Sequence, residues 1–156
     1  MVSMILSLNI HALRDRIRRA ITARIQTLEL ASNPLGFAWL VYALSLDGRD
    51  NNPTYQENLR LLETWALSAG SGEQNKHLGP LSMCSVLSTR SEVKRTALEK
   101  AKRILERVYP KRRYPFTVLD DPQQVFCATL ALKDDERTRA QLYEVIRKNI
   151  SGTISR

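Results

Sequence analysis

Between Arg90 and Arg113 the chain carries ten lysines or arginines against three glutamates, Glu92, Glu99 and Glu106, so most of the whole chain's net charge of +8 is concentrated there. The chemistry open to such residues is neutralisation of a polyanion, with release of its counterions. The least compensated run is Lys111-Arg112-Arg113, which meets no acid before Asp120 and is bracketed by Tyr109-Pro110 and Tyr114-Pro115. Lys102, Arg103 and Arg107 also belong to this region, but glutamates are interleaved with them and i,i+4 pairing competes for their charge. A second basic region holds Arg14, Arg16, Arg18, Arg19 and Arg24 against Asp15 and Glu29. Arginine predominates there, which suits bidentate phosphate contact and buried ion pairs alike. Tyr109 and Tyr114 are placed either to stack on unpaired bases or to anchor the connector on the core. No helix-turn-helix, RNA-recognition sheet or zinc module is visible, so contact with nucleic acid is expected to fall on phosphates and to ignore base sequence.

Catalytic and metal chemistry find less support. Asp120-Asp121 and Asp134-Asp135-Glu136 stand where helices are expected to begin, and carboxylates there complement the helix dipole. Cys84, Cys127, His11 and His77 do not have the spacing of a zinc ligand set. Both cysteines lie inside apolar runs, the setting of buried free thiols. Cys84 with His77 as nucleophile and base would need the pair to meet across seven residues and a Gly-Pro junction. The segment "GSGEQNK" lacks the Gly-Lys-Ser/Thr ending of a phosphate loop and follows a helix instead of a strand. No catalytic residue, metal or cofactor is therefore expected.

The elements that must position the cations follow from hydrophobic periodicity. With 43% hydrophobic and 26% charged residues in 156, the composition is that of one ordinary globular domain over residues 1–156. Three segments share a layout: "NPLGFAWLVYALSL" from Asn33, "GPLSMCSVLSTR" from Gly79 and "DPQQVFCATLAL" from Asp121. Each begins with an N-capping residue and Pro at the first helical position, then turns apolar around most of its circumference, as a buried helix does. Each precedes an amphipathic segment: 54–69, opened by a Thr54/Glu57 capping box and stopped at Gly70-Ser71-Gly72; 91–109; and 135–150. An earlier amphipathic helix, 8–31, places Ile10, Leu13, Ile17, Ala20, Ile21, Ile25 and Leu28 on one stripe, with Arg24 projecting into it as a structural or intersubunit group. The expectation is an all-α bundle of about seven helices: the N-terminal helix, then buried/outer pairs over 33–70, 79–109 and 121–150. "RYPFTVLD" has room for a short extended piece. An outer-type helix without a buried partner before it gives three alternatives: a C-terminal piece of something larger, a core completed against a partner, or a simple cap on the bundle.

The buried segments look like inner helices of α/α-toroid proteins of the terpenoid-cyclase type, though the acid-rich signatures of those enzymes are missing. Size, helix pairs and the cations around Arg14–Arg19 and Lys100–Arg113 are similar in profile to the small helical subunit of CRISPR interference complexes. That resemblance implies a non-catalytic basic bundle in a nucleoprotein assembly, touching single-stranded DNA or the guide–target duplex, with other protein subunits, copies of itself among them, as neighbours. A helical-repeat scaffold with no nucleic-acid role is the competing expectation. The apolar start lacks a basic leader and a small-residue cleavage site, and the longest apolar run, Leu35–Leu46, is too short to span a bilayer. A cytoplasmic protein without a membrane partner is expected.

Overall fold

The structure, a computed structural model, describes residues 2–46, 48–49, 51–70, 75–108, 122–134, 136, 140 and 147. Among these the fold is all-helical. Six α-helices follow in chain order: α1 (Val2–Thr27), α2 (Pro34–Ser45), α3 (Pro53–Ser68), α4 (Leu78–Leu87), α5 (Ser91–Val108) and α6 (Pro122–Ala131), with one 3₁₀ turn (Asn75–His77) leading into α4. The helix expected over 135–150 and the extended piece expected within 113–120 lie outside the described residues.

Helix α4 is the centre of the bundle. It packs against α6, α5, α2 and α3, and every residue of it except Val86 is buried. That burial is why its sequence, "LGPLSMCSVL", shows no polar face. Close approach is set at Gly79. A Cβ there would come within 2.6 Å of Leu35 Cδ1 on α2 and 3.3 Å of the Gln124 backbone on α6. The Gly79 amide donates to Gln124 Oε1 at 3.2 Å, which gives one of the orphan N–H groups of the first turn of α4 a partner from α6. Leu78, Leu81, Met83 and Leu87 along α4 are all fully buried.

The helix starts show what competes at a capping site. Asn33 caps α2, its Oδ1 accepting from the Gly36 amide at 2.8 Å. For α3 the capping residue is Asn52, whose Oδ1 accepts from the Tyr55 amide at 3.1 Å, and Pro53 takes the first position. The expected Thr54/Glu57 box thus falls two residues inside the helix start. An Asn-Pro pair joins a side-chain acceptor to a residue already set at helical φ, and it prevails over Thr54. In α4 the expected order is also corrected. His77 occupies the N-cap without a side-chain cap bond, and Gly79 and Pro80 lie within the first turn. Pro80 costs little there because the first-turn N–H groups have no intrahelical partner in any case.

Helix α1 begins at Val2 and ends at Thr27, earlier at both ends than the expected 8–31. It packs on α2. The residues it turns inward are Ile21 and Ile25, with Leu28 just beyond; Ile25 is 3% exposed. Leu13, Ile17, Ala20 and Arg24 lie roughly 80° away around the helix, at 100° per residue. Leu13 is 56% and Ile17 51% exposed, and Ala20 and Arg24 are exposed as well. The single stripe expected from the sequence is therefore two adjacent stripes, of which the bundle covers one. Arg24 is not a buried guanidinium; it stands on the uncovered stripe.

Candidate nucleic-acid interface

Helix α5 buries one face and displays the other. Val93, Ala97, Ala101, Ile104 and Leu105 face α3 and α4, each 5% exposed or less, as the sequence pattern requires. On the outer surface Glu92, Glu99 and Glu106, seven residues apart, form a central line, and all three are exposed. Arg95 and Lys102 fall on one side of that line by helical geometry, Arg103 and Arg107 on the other. Arg95, Arg103 and Arg107 are exposed and Lys102 is partly so. Each cation is within one turn of a glutamate, so the outer face of α5 is a mixed-charge surface with a modest positive excess.

Two cations from this basic region are used inside the fold. Lys100 Nζ donates to three backbone carbonyls at the end of α3: Ala66 at 2.8 Å, Leu67 at 2.7 Å and Ala69 at 2.6 Å. All three of its N–H bonds are thereby satisfied, on carbonyls that the helix leaves without partners and at the negative end of its dipole. Partial burial, then the Arg103 charge, lowers the Lys100 pKa from the ordinary lysine value; the carbonyl dipoles act in the opposite sense. The helix ends at Ser68 with Ala69 as its C-cap, just before Gly70 as expected, but by another means. Gly70 does not adopt the left-handed conformation of a glycine cap, and a lysine 31 residues beyond Ala69 closes the helix.

The second is Arg90. Glu63 on α3 is 3% exposed and accepts from Ser88 Oγ at 2.6 Å through one carboxylate oxygen. Arg90 Nη1 approaches its other oxygen at 3.5 Å. Ser88 Oγ in turn accepts from the Arg90 amide at 3.1 Å, so the short connection between α4 and α5 is fastened to α3. Sequence reasoning missed both Lys100 and Glu63 as structural groups, because their partners lie 25 to 34 residues away. A Glu among α3 residues that otherwise face the core, Tyr55, Leu59, Leu62 and Ala66, was the available signal.

Helix α1 differs. Arg14, Arg16, Arg18, Arg19 and Arg24 are all exposed over eleven residues in which Asp15 is the one acid. Arg18 Nη2 lies 3.9 Å from Asp15 Oδ1, and Arg19 Nε donates to the Asp15 carbonyl at a long 3.4 Å. Pairs as exposed as these contribute little to stability. Lys111, Arg112, Arg113, Tyr109 and Tyr114 lie outside the described residues. The structure therefore distributes the candidate contacts over two helices held by different neighbours, α1 on α2 and α5 on α3 and α4.

Cys84 is fully buried, with Sγ 4.0 Å from the Leu62 carbonyl. Burial, with the Glu63 charge adding to it, pushes the thiol up to about 12, so it stays protonated at neutral pH. His77 lies edge-on to Trp65, ring centroids 5.3 Å apart, at the opposite end of α4's first two turns. Cys84 and Cys127 are both free and buried. Among the described residues no group of three His, Cys, Asp or Glu is arranged to hold a metal ion, and no helix is long and apolar enough to cross a membrane. Comparison with family models, with curated proteins and with solved structures finds no match to this chain.

Proposed function

We propose that this protein is a non-catalytic, basic helical subunit of a nucleoprotein assembly that holds a nucleic-acid backbone without reading its bases, of the kind found in CRISPR antiviral defence. The observation that carries the proposal is the row of exposed arginines on α1, against a single acid, in a chain of net charge +8. Arg19, on the side of α1 turned from its apolar stripes, and Arg18, exposed one heptad before Ile25 on the same line, are the contacts there, with Arg14 one heptad before Ile21. Arg103, Arg107 and Lys102 add a weaker surface on α5, and Lys111, Arg112 and Arg113 continue its charge beyond Val108. In this reading the third helix pair is completed over 135–150, Tyr109 and Tyr114 stack on unpaired bases, and the setting is cytoplasmic. Neutralising phosphates with these side chains supplies sequence-independent affinity by counterion release.

The test is binding of a fluorescein-labelled 20-nucleotide single strand, DNA and RNA in turn, followed by anisotropy. Replacing Lys111, Arg112 and Arg113 together with alanine, or Arg18 and Arg19 together, is expected to weaken binding tenfold or more with helicity retained. Variants of both kinds that bind as tightly as the parent protein would remove the proposal.

A further inference from the structure

The uncovered stripe of α1, Leu13, Ile17 and Ala20, has a regular spacing. In the sequence it continues back through Ile10 and Leu6, so that Leu6, Ile10, Leu13, Ile17 and Ala20 follow one another at intervals of four, three, four and three residues. That is the a/d repeat of a coiled coil, with Ile10 and Ile17 at a and Leu6 and Leu13 at d. β-Branched residues at a with leucine at d favour two strands. Of this repeat the bundle leaves Leu13 and Ile17 more than half exposed, taking Ile21 and Ile25 instead.

The charges beside the seam identify what fits it. Arg14 occupies position e, Arg16 position g, and Arg24 the next position a. Asp15, the one acid between Val2 and Thr27, falls at f, directly away from the seam. We propose that α1 is one strand of a heterotypic two-stranded coiled coil whose other strand is an acidic amphipathic helix of a partner protein.

A second copy of this chain is the poorer occupant. It brings cations and no acid to the same flanks and sets Arg24 into a seam of little more than two heptads. A lipid surface fits less well too, because helices lying in an interface present a broad apolar face, whereas between Ala12 and Ala20 the apolar stripe is narrow and edged by Arg14 and Arg16. Phosphates offer nothing to Leu13 and Ile17. A partner helix with glutamates at e and g meets the arginines and covers the leucine and isoleucine together.

The test uses the full chain and a labelled 28-residue peptide with Ile at a, Leu at d and Glu at e and g. A scrambled peptide of the same composition and a version with Lys at e and g serve as comparisons. The acidic heptad peptide is expected to bind, with a gain in helical circular dichroism, at least tenfold more tightly than either. Leu13→Asp with Ile17→Asp should weaken that binding tenfold or more while leaving thermal unfolding unchanged, since both side chains are already exposed. Arg14→Glu with Arg16→Glu should turn the preference toward the lysine peptide. Equal binding of the scrambled peptide, or indifference to the Leu13 and Ile17 substitutions, overturns the proposal. So does dimerisation in analytical ultracentrifugation, or sedimentation with phosphatidylserine vesicles, that Leu13→Asp and Ile17→Asp abolish; these outcomes would assign the seam to a second copy or to lipid. None of these results bears on nucleic-acid contact by Arg18 and Arg19, which fall at b and c.

Discussion

Helices α1 and α5 are both amphipathic and both rich in arginine and lysine, yet they use these residues in opposite ways. α5 turns its apolar stripe inward, with Ala101 fully buried, and gives Lys100 to the end of α3. Just before it, Arg90 goes to the buried Glu63. α1 leaves one of its two apolar stripes and all five of its arginines exposed. A cation that closes another helix is a structural group whatever its charge, and a cation at a seam's edge selects partners. Net charge along the chain does not separate the two; the distribution of acids and carbonyls around each side chain does.

The widest separation between the helices should come from placing a carboxylate on each stripe. Ala101→Glu buries a charge without a partner and is expected to cost most of the stability typical of a domain this size, more than about 4 kcal/mol. Ile17→Glu should stay within about 0.5 kcal/mol in urea unfolding followed by circular dichroism. If Ile17→Glu is as damaging as Ala101→Glu, the two helices are not different in kind. Next in size, Lys100→Ala removes three charge-assisted bonds at the α3 end and is expected to cost roughly 1–3 kcal/mol. Arg103→Ala, one turn on, should cost under about 0.5 kcal/mol, and equal losses would erase the distinction between structural and displayed cations. Glu63→Gln keeps the Ser88 bond but loses the charge facing Arg90, for an expected loss of about 1 kcal/mol. The smallest effect is one of pH. Burial, then the Lys76 charge, lowers the His77 pKa from its ordinary 6.5. The unfolded chain therefore takes up this proton at a higher pH than the folded one, and stability is full above 6.5 and declines as pH falls toward the lower folded value. His77→Gln should flatten that part of a thermal-unfolding pH profile.

Much of the helical architecture was legible in the sequence, because Pro34 and Pro122 mark helix starts and the Val93–Leu105 stripe has the helical period. The all-apolar "LGPLSMCSVL" could be recognised as a buried helix for the same reason, although its start was set by the turn before it and not by Gly79. What periodicity could not resolve was a stripe wide enough for two uses. Ile17, Ile21, Arg24 and Ile25 sit on adjoining faces of one helix, and only the position of α2 decides which face is covered. Long-range pairs were illegible for a related reason. Lys100 resembles any surface lysine until α3 ends beside it, and Glu63 resembles a misplaced charge until Ser88 and Arg90 arrive.

The central claim is that displayed arginines hold a nucleic-acid backbone, and its most direct measurement is the salt dependence of single-strand binding between 50 and 200 mM. For about 4–6 phosphates the slope of log K against log salt should be about −3 to −4, and Arg18→Ala with Arg19→Ala should make it shallower by about 1 to 1.5. A parent protein that does not bind the strand at low salt, or a slope that the Arg18 and Arg19 substitutions leave unchanged, would contradict the account.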